Sequence, residues 1–122
     1  MSLSLLTLSS CETNNPECWE ISGTGAISVD GATETTVNTP LQLLVTYVVV
    51  NECDNFYLFF EEVFEGVKWI TVNVRYDGCN CPGKVVNRVQ PYNFVASEPG
   101  EYVLRFKVTN AEYIEKIITV TE

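Results

Sequence analysis

Near the end of the chain, Tyr102, Leu104, Phe106 and Val108 alternate with Val103, Arg105, Lys107 and Thr109, an apolar face set against a mostly polar one. That period of two is the signature of a half-buried strand. The same alternation runs through "VKWITVNVRY" (67–76), where Ile70, Val72, Val74 and Tyr76 share one face and Trp69, Thr71, Asn73 and Arg75 the other. "LQLLVTYVVV" (41–50) is apolar on both faces, which predicts a central strand. "FYLFFEEVF" (56–64) is followed by Glu65–Gly66, a turn pair that predicts a hairpin with the strand from Val67. Helical periodicity is almost absent, so the chain is expected to be all-β.

The remaining segments are shorter. Trp19 to Val29 reads as a first strand interrupted by "SGTG", and "DGATETTVNTP" as a long connection or an irregular edge. "DGCNCPG" is a turn cluster, and "KVVNRV" and "YNFVAS" are expected to separate at Pro91, at an edge or a strand break. "YIEKIITVTE" closes the sheet.

"EPGEYVLRFKVTNAEYIEKIITV" resembles the C-terminal hairpin of PKD-type and related immunoglobulin-like domains, which read Pro-Gly-x-Tyr-x-(apolar)-x-(apolar)-x-Val-Thr-Asn. The resemblance covers about the last quarter of the chain. It implies an immunoglobulin-like antiparallel β-sandwich of about seven strands, with Tyr102 at the tyrosine corner. Leu104 stands where antibody domains carry a core cysteine, so their inter-sheet disulfide is not implied. Such a likeness specifies a fold and leaves function open.

The chain has 122 residues, of which 46% are hydrophobic and 19% charged, enough for one domain with a modest core. Sixteen acidic residues against seven basic ones give a net charge of −9. That balance repels phosphate backbones and anionic lipid, so no nucleic-acid partner is expected. There is no histidine. Ser–His–Asp and Cys–His nucleophile systems are therefore excluded, and the commonest zinc ligand is missing. A pair of carboxylates about 5–9 Å apart across a cleft is the catalytic route left open. The expectation is that the protein is not an enzyme and uses no cofactor.

Five cysteines, Cys11, Cys18, Cys53, Cys79 and Cys81, make an odd number. "LSSC" (Leu8 to Cys11) resembles the lipobox of bacterial lipoproteins, in which the cysteine is lipidated and becomes the mature N-terminus. Leu3, Leu5, Leu6 and Leu8 look like the end of an apolar signal segment, although no Lys or Arg precedes them. Residues 1–17 are thus expected to be a signal remnant, lipobox and tether, and 18–122 a single domain. The resemblance implies an exported protein, lipid-anchored in a bacterial cell envelope, like small lipoproteins of Bacteroidetes-type bacteria. The other four cysteines suit two disulfides in an oxidising compartment. "CNC" is too tight for the usual Cys-x₂-Cys zinc knuckle, so no metal is expected. A bridge from Cys79 to Cys81 would close a strained ring, so Cys18 and Cys53 are each expected to join one member of "CNC". Following the strands up and down places all four at one pole. A lipid on Cys11 would hold that pole within roughly 25 Å of the membrane.

If Ile70, Val72 and Val74 are core, Trp69 points outward, beside Tyr57 or Phe59 of the hairpin partner. Such an aromatic platform could stack on a sugar or anchor a protein. Glu61, Glu62 and Glu65, and Asp30 near Glu34, have no EF-hand-like spacing and read as a solvated face rather than calcium ligands. The function expected is a non-catalytic envelope module, binding or structural, with an unknown protein or glycan partner. A carbohydrate-binding module using Trp69 is the alternative.

Overall fold

The computed structural model describes residues 18–78 and 80–122. The described chain is all-β, with nine strands where about seven were expected. They are β1 (Trp19–Thr24), β2 (Ala26–Asp30), β3 (Glu34–Thr36), β4 (Leu41–Asn51), β5 (Asp54–Phe64), β6 (Val67–Asp77), β7 (Gly83–Phe94), β8 (Gly100–Lys107) and β9 (Tyr113–Thr121). They form a three-stranded sheet, β2-β4-β7, and a six-stranded sheet in which β6 carries β5 on one edge and continues through β8 and β9 to β3.

Two of the extra strands arise where the chain changes sheets. Trp19 to Val29 is not one strand. β1 pairs with β6 and β2 with β4, and the switch occurs at Gly25. A Cβ there would lie 2.3 Å from the carbonyl oxygen of Val108, so only glycine lets the chain pass. The polar stretch after Asp30 holds the short edge strand β3, which pairs in parallel with β9. β7 runs unbroken through Pro91, because it pairs only with β4 and an edge strand tolerates the missing N–H.

One core joins the two sheets. Leu43, Val45, Tyr47 and Val49 of β4 face Ile70, Val72 and Val74 of β6, Leu104 and Phe106 of β8, and Ile118 and Val120 of β9, all buried. The inward phases of β6 and β8 are those of their sequence alternation. β4 is central, as its composition predicts, yet its other face meets solvent: Leu44 and Val50 are exposed. Glu65 and Gly66 both have positive φ, 54° and 79°, the requirement of a type I′ hairpin between β5 and β6.

β6 organises the large sheet. Along its second edge, β1 pairs antiparallel with Val72–Asp77 and β8 pairs parallel with Val67–Ile70. β1 and β8 therefore meet end to end at Thr71. The parallel β6–β8 and β3–β9 pairings depart from a wholly antiparallel sandwich.

At one pole Cys53 and Cys81 are joined in a disulfide with Cα atoms 6.0 Å apart. Cys18 is also disulfide-bonded, and its carbonyl accepts the Gly78 N–H at 2.7 Å, next to the Asp77 N–H that reaches Cys53 at 3.2 Å. A Cβ on Gly78 would lie 2.5 Å from the Cys81 sulfur. Cys11 and Cys79 lie outside the described residues. At the other pole the Asn38 N–H bonds the Ala96 carbonyl at 2.7 Å, and the Tyr102 hydroxyl reaches back to the Glu98 carbonyl at 2.7 Å.

Candidate binding face

Strand register fixes what stands on the outer face of the six-stranded sheet. Since Ile70 and Val72 point inward, Trp69 and Thr71 point outward. Trp69 lies opposite Glu62 of β5 on one side and Arg105 of β8 on the other, and Arg105 lies opposite Glu115 of β9. One cross-strand row therefore reads Glu62–Trp69–Arg105–Glu115.

That row is braced. Arg105 donates from Nε to Glu115 at 2.9 Å, and its guanidinium lies 5.1 Å from the Trp69 ring centre and 4.6 Å from that of Tyr113. The Tyr113 and Trp69 rings are 5.1 Å apart and nearly perpendicular. Cation–π and edge-to-face geometry each contribute roughly 0.5–1.5 kcal/mol, so together they hold the indole in one orientation. Trp69 is half-buried as a result, with its neighbours supplied by β8 and β9. A smaller copy of the device lies nearer the cysteine pole, where Arg75 sits 4.7 Å from the Trp19 ring and pairs with Asp77 at 2.9 Å.

The two other predicted aromatics stand elsewhere. A β-bulge between Phe56 and Leu58 shifts the alternation of β5 by one residue. Phe59 consequently turns inward, 4.9 Å from Phe56 and edge-on to Tyr92 at 5.0 Å, where it packs on the core. Tyr57 is exposed at the bulge, five positions along β5 from Glu62, the residue opposite Trp69. Neither forms a platform with Trp69.

The same bulge puts Glu61 on the side of β5 that reaches Tyr92, where it stays exposed. It accepts the Tyr92 hydroxyl proton at 2.5 Å and pairs with Lys68 at 3.7 Å. Burial of Tyr92, reinforced by this bond and the Glu61 charge, pushes the phenol far above its usual range. Glu61 is thus a structural partner rather than a purely solvated group, and Glu62 points the other way. Among the described residues no three His, Cys, Asp or Glu side chains gather to hold a metal ion.

Two grooves open on this face. One of about 410 Å³ is lined by Glu62, Val63, Phe64, Trp69, Lys107 and Asn110. The other, about 520 Å³, lies where β1 and β8 meet and includes Gly23, Thr71, Thr109, Lys107 and Asn110. Lys107 and Asn110 line both, so the grooves adjoin. The ion pairs among the described residues engage Lys68, Arg75, Lys84 and Arg105, and none engages Lys107. Arg105 and Lys107 were visible as the polar side of an alternating strand. Their placement beside Trp69 needs the parallel β6–β8 pairing, which no local pattern signals.

Compared with known proteins, the chain matches no family model, no curated protein and no solved structure.

Proposed function

We propose that this protein is a non-catalytic binding module of a bacterial cell envelope, exported, anchored by lipid on Cys11, and engaging its partner through the outer face of the six-stranded sheet. The observation that carries the reading is the braced Trp69 ring at the wall of an open groove. An aromatic surface held rigid before binding loses little conformational freedom on contact, which is what a recognition face requires. Glu62 is the one carboxylate among the residues lining the two grooves. The Cys53–Cys81 disulfide suits an oxidising, exported environment. With Cys18 at the disulfide pole, a lipid on Cys11 would hold that pole toward the membrane and leave the sheet faces free.

The carbohydrate reading is favoured by a specific observation: the Trp69 groove combines an apolar wall, Phe64 and Val63, with Glu62, Lys107 and Asn110 as hydrogen-bonding groups. The fold, in turn, is read as a divergent immunoglobulin-like sandwich. The Tyr102–Glu98 bond and the β8–β9 hairpin support this, and the parallel pairings mark the divergence.

The test is a glycan array and an envelope-protein pull-down with the wild-type domain and Trp69→Ala. A ligand captured by wild type and lost by the variant is expected. Equal capture by both would overturn the assignment of this face.

A further inference from the structure

We infer that the adjoining grooves around Lys107 take an acidic saccharide, one whose sugar ring packs on Trp69 and whose carboxylate or sulfate meets the Lys107 ammonium. The inference rests on the carbohydrate reading and adds the charge of the ligand. Cations are scarce in this chain, seven against sixteen acidic residues. Four of them are committed to ion pairs, and Arg88 donates to the Asp54 carbonyl. Lys107 makes no ion pair among the described residues, yet it lines both grooves on the outer face of β8, with its stem half-buried. Lys116, the remaining cation, is also half-buried and makes no ion pair among the described residues, but it lines neither groove, whereas Lys107 lines both. The cation neighbouring Lys107, Arg105, holds Glu115 to itself at 2.9 Å.

The rims of the Trp69 groove differ in charge. Glu62 accepts hydrogen bonds from sugar hydroxyls and repels an anion, whereas Lys107 attracts one. The charge of the ligand is therefore directed to the junction between the grooves, and the chain continues past it toward Thr71, Thr109 and Asn110, which carry hydroxyl and amide groups suited to sugar hydroxyls. A neutral saccharide would still stack on Trp69 but would leave the ammonium to water. Because charge-assisted hydrogen bonds are worth more than neutral ones, the acidic ligand should bind roughly tenfold tighter or more.

The test is titration calorimetry of wild type, Lys107→Met and Trp69→Ala with a uronic-acid tetrasaccharide, a sulfated tetrasaccharide and the neutral tetrasaccharide of the same backbone. Wild type is expected to prefer at least one acidic ligand by about tenfold. Lys107→Met should bring that ligand to the affinity of the neutral one, with an unchanged circular-dichroism melt, and Trp69→Ala should weaken all three. The better of the two acidic ligands identifies the anionic group. Equal affinity of wild type for neutral and acidic ligands, or a preference untouched in Lys107→Met, would overturn the inference and leave the carbohydrate reading standing. Binding of none of the three would overturn both.

Discussion

The guanidinium of Arg105 lies 5.1 Å from the centre of the Trp69 ring, although 36 positions separate the two residues in the chain. They meet because β8 runs parallel to β6, placing Trp69 and Arg105 in register. Glu115 then fixes Arg105 from the far side at 2.9 Å. Replacing Glu115 with Gln should free Arg105 and loosen the indole. The stability cost should be small, within about 1 kcal/mol, since the pair is partly exposed. The informative readout is the near-ultraviolet circular dichroism of Trp69, expected to weaken in Glu115→Gln against a Trp19→Phe background. An unchanged spectrum would mean that the charge of Glu115 is not needed to hold Arg105 against the ring.

The hydroxyl of Tyr102 bonds the Glu98 carbonyl at 2.7 Å and pins the turn that leads into β8. Its ring also packs edge-on against Phe94, 5.4 Å away, so Tyr102→Phe removes the bond and spares the packing. The expected loss is about 1 kcal/mol in urea denaturation. A change below the resolution of the measurement would show that water replaces the hydroxyl at no cost.

The disulfide between Cys53 and Cys81 closes a loop with a sequence separation of 28. Chain-entropy reasoning gives about 3–4 kcal/mol for a loop of that length. The double variant Cys53→Ala/Cys81→Ala should show that loss in its unfolding midpoint. Gly78→Ala attacks the same pole from the backbone, since the new Cβ would stand 2.5 Å from the Cys81 sulfur at a φ of 153°. Alanine there should both destabilise the fold and raise the free-thiol count in Ellman titration.

What could be read from the sequence was what local patterns encode. Ile70, Val72 and Val74 announce the buried face of β6 by alternation alone, and Gly66 announces the hairpin between two apolar runs, although Glu65 takes a positive φ that a type I′ turn more often gives to Asn, Asp or Gly. Tyr102 could be placed from its neighbours. The phase of Phe59 was not legible, because one bulged residue at Tyr57 reverses the alternation of everything after it. Nor was the proposed binding face, which depends on β1 and β8 sharing one edge of β6. That arrangement is a long-range choice between pairings with similar local preferences, and only the packed core decides it.

Tyr92 gives the fold a defined response to alkali. Its phenol is buried and donates to Glu61 at 2.5 Å, so the folded state keeps the proton well above the ordinary tyrosine range, whereas the unfolded chain releases it near pH 10. The folded pKa is raised, so the stabilisation is fully present below pH 10 and is lost as pH climbs above it. There the unfolded state binds fewer protons than the folded state, and the linkage slope is negative. Burial raises Tyr47 in the same direction, against a lowering pull from Arg88. Stability measured by urea denaturation should be flat between pH 8 and about 9.5. Above pH 10 it should fall by up to about 1.4 kcal/mol per pH unit for each such tyrosine. Tyr92→Phe should lower stability at neutral pH, where the hydroxyl–carboxylate bond is lost, and should flatten the alkaline limb by one proton. An alkaline slope identical in wild type and Tyr92→Phe would show that Tyr92 ionises as readily folded as unfolded, and that the Glu61 bond does not hold its proton.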